Sequence, residues 1–99
     1  MAVITDASKV SEILYPIFRQ YNIKKAILFG SVAKNTAHTG SDLDILVDSR
    51  LKGLRFVGLL EDIRQAVPMD VDLIDISHIE KGSAVEKEIK ETGVVIYEQ

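Results

Sequence analysis

The sequence predicts a small mixed α/β (α+β) domain, with one sheet of about four strands and helices packed on one or both of its faces. Three observations predict it. Short apolar runs that end in Gly or Asp alternate with longer stretches of helical spacing. The 99-residue chain has the length of one domain, so 1–99 reads as a single unit. Its composition, 46% hydrophobic and 27% charged, is that of an ordinary globular protein and excludes a disordered or fibrous chain.

The elements follow in order. From Ala7 to Tyr21, the residues Val10, Ile13, Leu14, Ile17, Phe18 and Tyr21 repeat at the spacing of an amphipathic helix. Thr5, Asp6 and Ser8 are alternative N-caps, and Pro16 should kink or split the helix. Lys25 to Gly30 is short, apolar and closed by glycine, so it reads as a buried strand. A short helix over Ser31–Thr36 follows, then a turn at His38–Ser41. Asp42–Asp48 is a second strand. Phe56, Leu59, Leu60, Ile63 and Val67 keep helical spacing from Leu54 to Val67, and Pro68 stands just beyond. Asp70–Ile76 is a third strand. A short helix from Ser83 to Glu91, with Gly93 as its C′ residue, leads into a last strand at Val94–Tyr97.

Charge and composition narrow the function. Twelve basic and 15 acidic residues leave a net charge of −3, which argues against direct binding of duplex DNA. There is no cysteine, hence no disulfide framework and no thiolate zinc site. No apolar run reaches the roughly 20 residues of a membrane span, and the first residues lack the basic and apolar regions of a signal peptide. The expectation is a cytoplasmic domain without membrane contact.

The chemistry is carried by acids in unusual places. Aspartate fits a half-buried pleat poorly, yet two strands carry it repeatedly. Asp42 and Asp44 are two residues apart and so share a face, while Leu43, Ile45 and Val47 take the other. Asp70 and Asp72 share a face of the third strand in the same way, with Val71, Leu73 and Asp75 opposite. Carboxylates gathered on neighbouring strands raise each other's pKa unless a cation neutralises them. Oxygen donors of this kind suit Mg²⁺ or Mn²⁺ rather than zinc. Upstream, Gly30-Ser31 closes a strand and opens a helix, where free N–H groups and a Ser hydroxyl can receive phosphate. Ten residues separate this pair from Asp42.

Leu28-Phe-Gly-Ser31 followed by Ser41-Asp-Leu-Asp-Ile-Leu-Val47 resembles the signature of the DNA polymerase β nucleotidyltransferase superfamily. Val71-Asp-Leu-Ile74, the segment from Ile89 to Thr92 and Val95-Ile-Tyr-Glu98 extend the likeness to its minimal nucleotidyltransferase (MNT) domains, over about residues 10–98. The resemblance implies a palm-like fold and an antitoxin paired with a HEPN-domain ribonuclease toxin. It implies a protein adenylyltransferase that moves AMP from ATP to a hydroxyl, a tyrosine of that toxin. By the same likeness Asp42, Asp44 and Asp72 would be catalytic and hold two Mg²⁺ ions, while Gly30, Ser31 and Lys34 would bind the nucleotide. Asp70 is the lesser alternative to Asp72. Where the family commonly carries two arginines after Gly-Ser, this chain has Val32 and Lys34. Lysine brings a point charge without bidentate geometry. The alternative is therefore an antitoxin of weak or absent catalysis that neutralises its toxin by binding, in a hetero-oligomer. The short chain leaves little room for an acceptor domain, which favours a macromolecular acceptor over a free antibiotic. His38, His78, Tyr15, Tyr21, Tyr97, Lys24 and Lys25 read as solvated or packing residues. The chain lacks the Arg-x(4–6)-His pattern of HEPN nucleases, which fits the antitoxin side of such a pair.

Overall fold

A computed structural model describes residues 6–34 and 42–99. Helix α1 (Ala7–Gln20) leads into strand β1 (Lys25–Phe29) and the single-turn helix α2 (Gly30–Ala33). Strand β2 (Leu43–Asp48), helix α3 (Leu54–Ala66) and strand β3 (Val71–Asp75) follow. A 3₁₀ turn at Ile76–His78, helix α4 (Ala84–Thr92) and strand β4 (Val94–Glu98) complete the order. The turn read at His38–Ser41, the cap alternative Thr5 and the end of the short helix at Asn35–Thr36 lie outside the described residues.

The four strands form one sheet in the order β3-β2-β1-β4. β1 runs antiparallel to both β2 and β4, while β2 and β3 are parallel. A parallel pair needs a crossover, and α3 supplies it. The sheet is therefore mixed, as its alternation of short strands and helices predicts.

The core lies on the face taken by Leu43, Ile45 and Val47, joined by Ala26 and Leu28 of β1 and Val71 of β3. Val10, Leu14 and Phe18 of α1 and Leu59 and Ile63 of α3 cover it, all fully buried. Fully burying such side chains contributes roughly 1.5–3 kcal/mol each.

Local details explain the element ends. The Asp6 side chain accepts from the Ser8 backbone N–H at 2.9 Å, which selects Asp6 as the α1 cap. Pro16 does not split α1, which runs unbroken for 14 residues. Pro16 stands on the exposed side of the helix. There the carbonyl four residues back, left without its donor, can turn to water. Gly93 caps α4 with an ordinary negative φ of −67°, so left-handed geometry is not the reason for glycine there. A side chain at position 93 would strike the Ile89 carbonyl and stand 2.9 Å from Ile27 Cγ2. The 3₁₀ turn after β3 was not legible in the sequence. It forms because the Asp75 carboxylate folds back onto the Ser77 N–H at 3.0 Å.

Candidate active site

Extended backbone puts alternate residues on opposite faces, and the register fixes which ones meet. Asp44 pairs with Phe29 across the antiparallel ladder and with Asp72 across the parallel one. Neighbouring strands lie about 4.8 Å apart, so the two aspartates stand side by side on the face away from the core. Asp42, two residues before Asp44 and exposed, precedes β2. Its neighbour Leu43 is tied to the third strand by a backbone hydrogen bond to the Asp70 carbonyl, 2.8 Å long. Asp72 is thus the third-strand acid that stands level with Asp44, and Asp70 lies one step outside the β3 ladder.

Gly30 closes the other side. It begins α2 directly after β1, is buried, and has φ +76°, a conformation that favours glycine. A Cβ at this position would collide with the Asp44 carboxylate. The glycine therefore serves twice, allowing the backbone turn and leaving room for the acid. Ser31 follows it, half-buried. α2 is only four residues long, so what it could offer an anion is a cluster of backbone N–H groups rather than a long helix dipole.

Electrostatics mark Asp44. Burial, then the charges of Asp72, Asp42 and Glu88, push its carboxyl from the usual 3.8 up to about 6. The protein thus keeps an acid where it is disfavoured, among like charges. Glu88 of α4 is a member of this group that the sequence did not reveal. It lies sixteen residues beyond Asp72 in the chain, and only the packing of α4 against β1 and α2 brings it in. Its Oε2 lies 3.4 Å from Lys34 Nζ, so the lysine of the Gly-Ser segment is paired with a carboxylate of the same neighbourhood.

The predicted residues are therefore brought together in part. Gly30, Asp44 and Asp72 adjoin by direct contact or register, Asp42 lies on the same face, and Lys34 flanks them through Glu88. The donor set, carboxylate oxygens alone, suits a hard divalent cation. Among the described residues, however, no three His, Cys, Asp or Glu side chains stand close enough as placed to enclose a metal. The backbone aligns Asp42, Asp44 and Asp72 on one face, and rotation of their short side chains would be needed to converge them. No helix among the described residues is long and apolar enough to cross a membrane.

Elsewhere, Asp75 is buried and fully used in structure. Its Oδ1 accepts from the Ser49 N–H (3.1 Å) and hydroxyl (2.6 Å), and its Oδ2 from the Ser77 N–H (3.0 Å) and hydroxyl (2.6 Å). Burial pushes its pKa up, but the hydrogen bonds from Ser49 and Ser77 outweigh it and hold the carboxyl below the usual value.

The fold has counterparts among known proteins. The family model described as polymerase beta, nucleotidyltransferase matches residues 12–99. A search of curated proteins found no match. Among solved structures, a toxin–antitoxin with AMP-PNP superposes with TM-score 0.76 at 22% identity, covering 90% of this chain and 73% of the other. A mutant MntA–HpeT toxin–antitoxin gives 0.75 at 20%, again covering 90% and 73%. The tri-AMPylated HEPN toxin of Shewanella oneidensis in complex with its MNT antitoxin gives 0.70 at 18%, covering 94% and 73%. At these identities the likeness is one of fold.

Proposed function

The chain belongs to the polymerase beta nucleotidyltransferase family, and on that premise we propose that it is the antitoxin of a HEPN toxin pair, transferring AMP from ATP to a tyrosine hydroxyl of the toxin. The observation that carries this reading is the alignment of Asp44 with Asp72 beside Gly30. Two lines support the partner and the nucleotide. The structures it resembles are toxin–antitoxin complexes, one with AMP-PNP and one with an AMPylated HEPN toxin.

The roles divide as follows. Gly30 lets phosphate oxygens approach the backbone, and Ser31 offers its hydroxyl to them. Lys34 adds positive charge beside the triphosphate once it exchanges Glu88 for phosphate. An exposed pair of this kind is worth only about 0–1 kcal/mol, so the exchange is cheap. Asp42 and Asp44 would hold the Mg²⁺ ions, with Asp72 on the acceptor side. Divalent ions bound there would neutralise charge on the α-phosphate and on the departing pyrophosphate. The acceptor oxygen attacks the α-phosphorus, its proton passes to Asp72, and the bond to the bridging oxygen breaks in line.

Incubation with labelled ATP, Mg²⁺ and a cognate HEPN toxin tests the proposal. Label on a toxin tyrosine, lost with Asp42→Asn/Asp44→Asn, is the expected result. Absence of label with the wild-type protein would overturn catalysis.

A second reading has an observation of its own. Val32 cannot contact phosphate by charge, and Lys34 is already paired with Glu88. A protein that neutralises the toxin by binding alone would keep doing so after Asp42 and Asp44 are both replaced.

A further inference from the structure

At the far end of the parallel strand pair, the loop leaving β2 is built in an uncommon way. Arg50 has φ +59°, a conformation that a bulky side chain adopts only when its surroundings enforce it. Gly53, three residues on, has φ +58°. What enforces the loop is the Asp75 network. Ser49 donates to Asp75 through both its N–H and its hydroxyl, and the Ser49 hydroxyl in turn accepts from the Leu51 N–H at 3.1 Å. Hydrogen bonds on both sides thus fix the Arg50 backbone, and its side chain is exposed.

Arg50 and Leu51 line two adjoining hollows of about 500 and 360 Å³. Lysine and arginine gather around them: Lys52 in one, Lys24 and Arg55 in the other. None of these four basic residues forms a salt bridge among the described residues. Two carboxylates share the first hollow, half-buried Asp48 and buried Asp75, whose hydrogen bonds favour its charged form, so the surplus of positive charge falls on the second hollow, with Lys24, Arg50 and Arg55. A chain of net charge −3 thus carries a local cationic surface. Ile76, 51% exposed, lines the first hollow, and Leu54 (88%) and Val57 (54%) are exposed on the first turn of the neighbouring α3.

We propose that this surface, centred on Arg50, docks an acidic amphipathic segment of a protein partner. The cations call for a negatively charged occupant by complementarity. The exposed Leu54, Val57 and Ile76 favour protein over nucleic acid, which would leave aliphatic side chains without apolar contacts. Arginine is among the residues enriched at interface hot spots, and with its backbone already fixed Arg50 has no loop ordering left to lose on binding. The surface begins at the end of β2, where Asp48 lies four residues from Asp44, about 13 Å away at strand rise. A partner seated here leaves the aspartate face open and reaches it with a separate segment that carries the acceptor. The inference rests on the toxin reading for the identity of that partner.

The test uses the full chain with a cognate HEPN toxin. Arg50→Gly is the informative variant, since glycine relieves the positive φ. It should melt no lower than wild type yet bind the toxin at least tenfold more weakly. Arg55→Glu should weaken binding similarly, and Arg64→Glu, elsewhere on α3, by less than twofold. The chain has no cysteine, so Leu54→Cys and Tyr15→Cys each carry one thiol for a benzophenone cross-linker. Cross-linking to the toxin from position 54 and not from 15 supports the surface. Unchanged affinity of Arg50→Gly, or a 20-nucleotide oligouridylate that binds equally well and competes, overturns it. A wild-type chain that does not bind the toxin at all defeats the toxin reading and this assignment with it. Wild-type binding unaffected by these changes defeats the surface alone.

Discussion

The carboxylate of Asp44 fills the space in which a side chain on residue 30 would begin. The first glycine of α2 and a strand acid, fourteen positions apart in sequence, are thereby locked into one steric unit. Gly30→Ala meets two penalties together, the positive φ and the displaced carboxylate. We expect it to cost about 1–3 kcal/mol of stability and to reduce AMP transfer at least tenfold. Thermal melts and the labelled-ATP assay at the same temperature separate the two effects.

Asp44 should make the metal-free protein less stable as pH rises. Its folded pKa, about 6, lies above the usual 3.8 because of burial and its acidic neighbours. A raised value means that the protonated carboxyl is favoured in the fold. That stability is complete below about pH 4 and is lost as pH climbs through 6. Asp44→Asn should flatten this part of the melting profile and raise the Tm at pH 7.5 by a few degrees while abolishing transfer. A lower Tm for the variant at pH 7.5 would contradict the electrostatic account.

Divalent cations should act on the same residues. Mn²⁺ at millimolar concentration is expected to raise the Tm of wild type, since it binds the folded aspartates and not the unfolded chain. The rise should vanish in Asp42→Asn/Asp44→Asn and shrink in Asp72→Asn. Equal rises in all of these proteins would move the metal away from this face.

Asp75 has the opposite sign. Hydrogen bonds from Ser49 and Ser77 hold its pKa below the usual value despite burial. Its contribution is in place at pH values above the ordinary 3.8 and is lost as pH falls through the lower folded value. Asp75→Ala strands several donors and should cost about 3 kcal/mol, seen as a lower denaturant midpoint at pH 7. Transfer by the folded fraction should persist, because Asp75 belongs to the core side of β3.

Pro16 sits inside an unbroken α1 on its exposed side. Pro16→Ala restores a helix donor and should stabilise the protein by roughly 1–3 kcal/mol. Chemical denaturation measures this directly, and a loss of stability would show that the proline shapes α1 for packing.

Periodicity alone determined most of the architecture. The apolar spacing of α1 and α3, and the alternation of Asp42 and Asp44 with Leu43, Ile45 and Val47, follow from geometry that every helix and strand shares. The acids on the outward face were legible because aspartate is out of place in a strand. Continuity through Pro16 was not, since it depends on which side of the helix meets water.

What the tertiary structure alone decided is which distant groups meet. The parallel register sets Asp72, rather than Asp70, level with Asp44. The packing of α4 brings in Glu88 and occupies Lys34. Asp75 looks like one more strand acid in the sequence, yet four hydrogen bonds turn it into the anchor of the Arg50 loop. Local pattern reports the direction of a side chain relative to its own backbone, whereas partners arrive through strand pairing and helix packing over long separations in the chain.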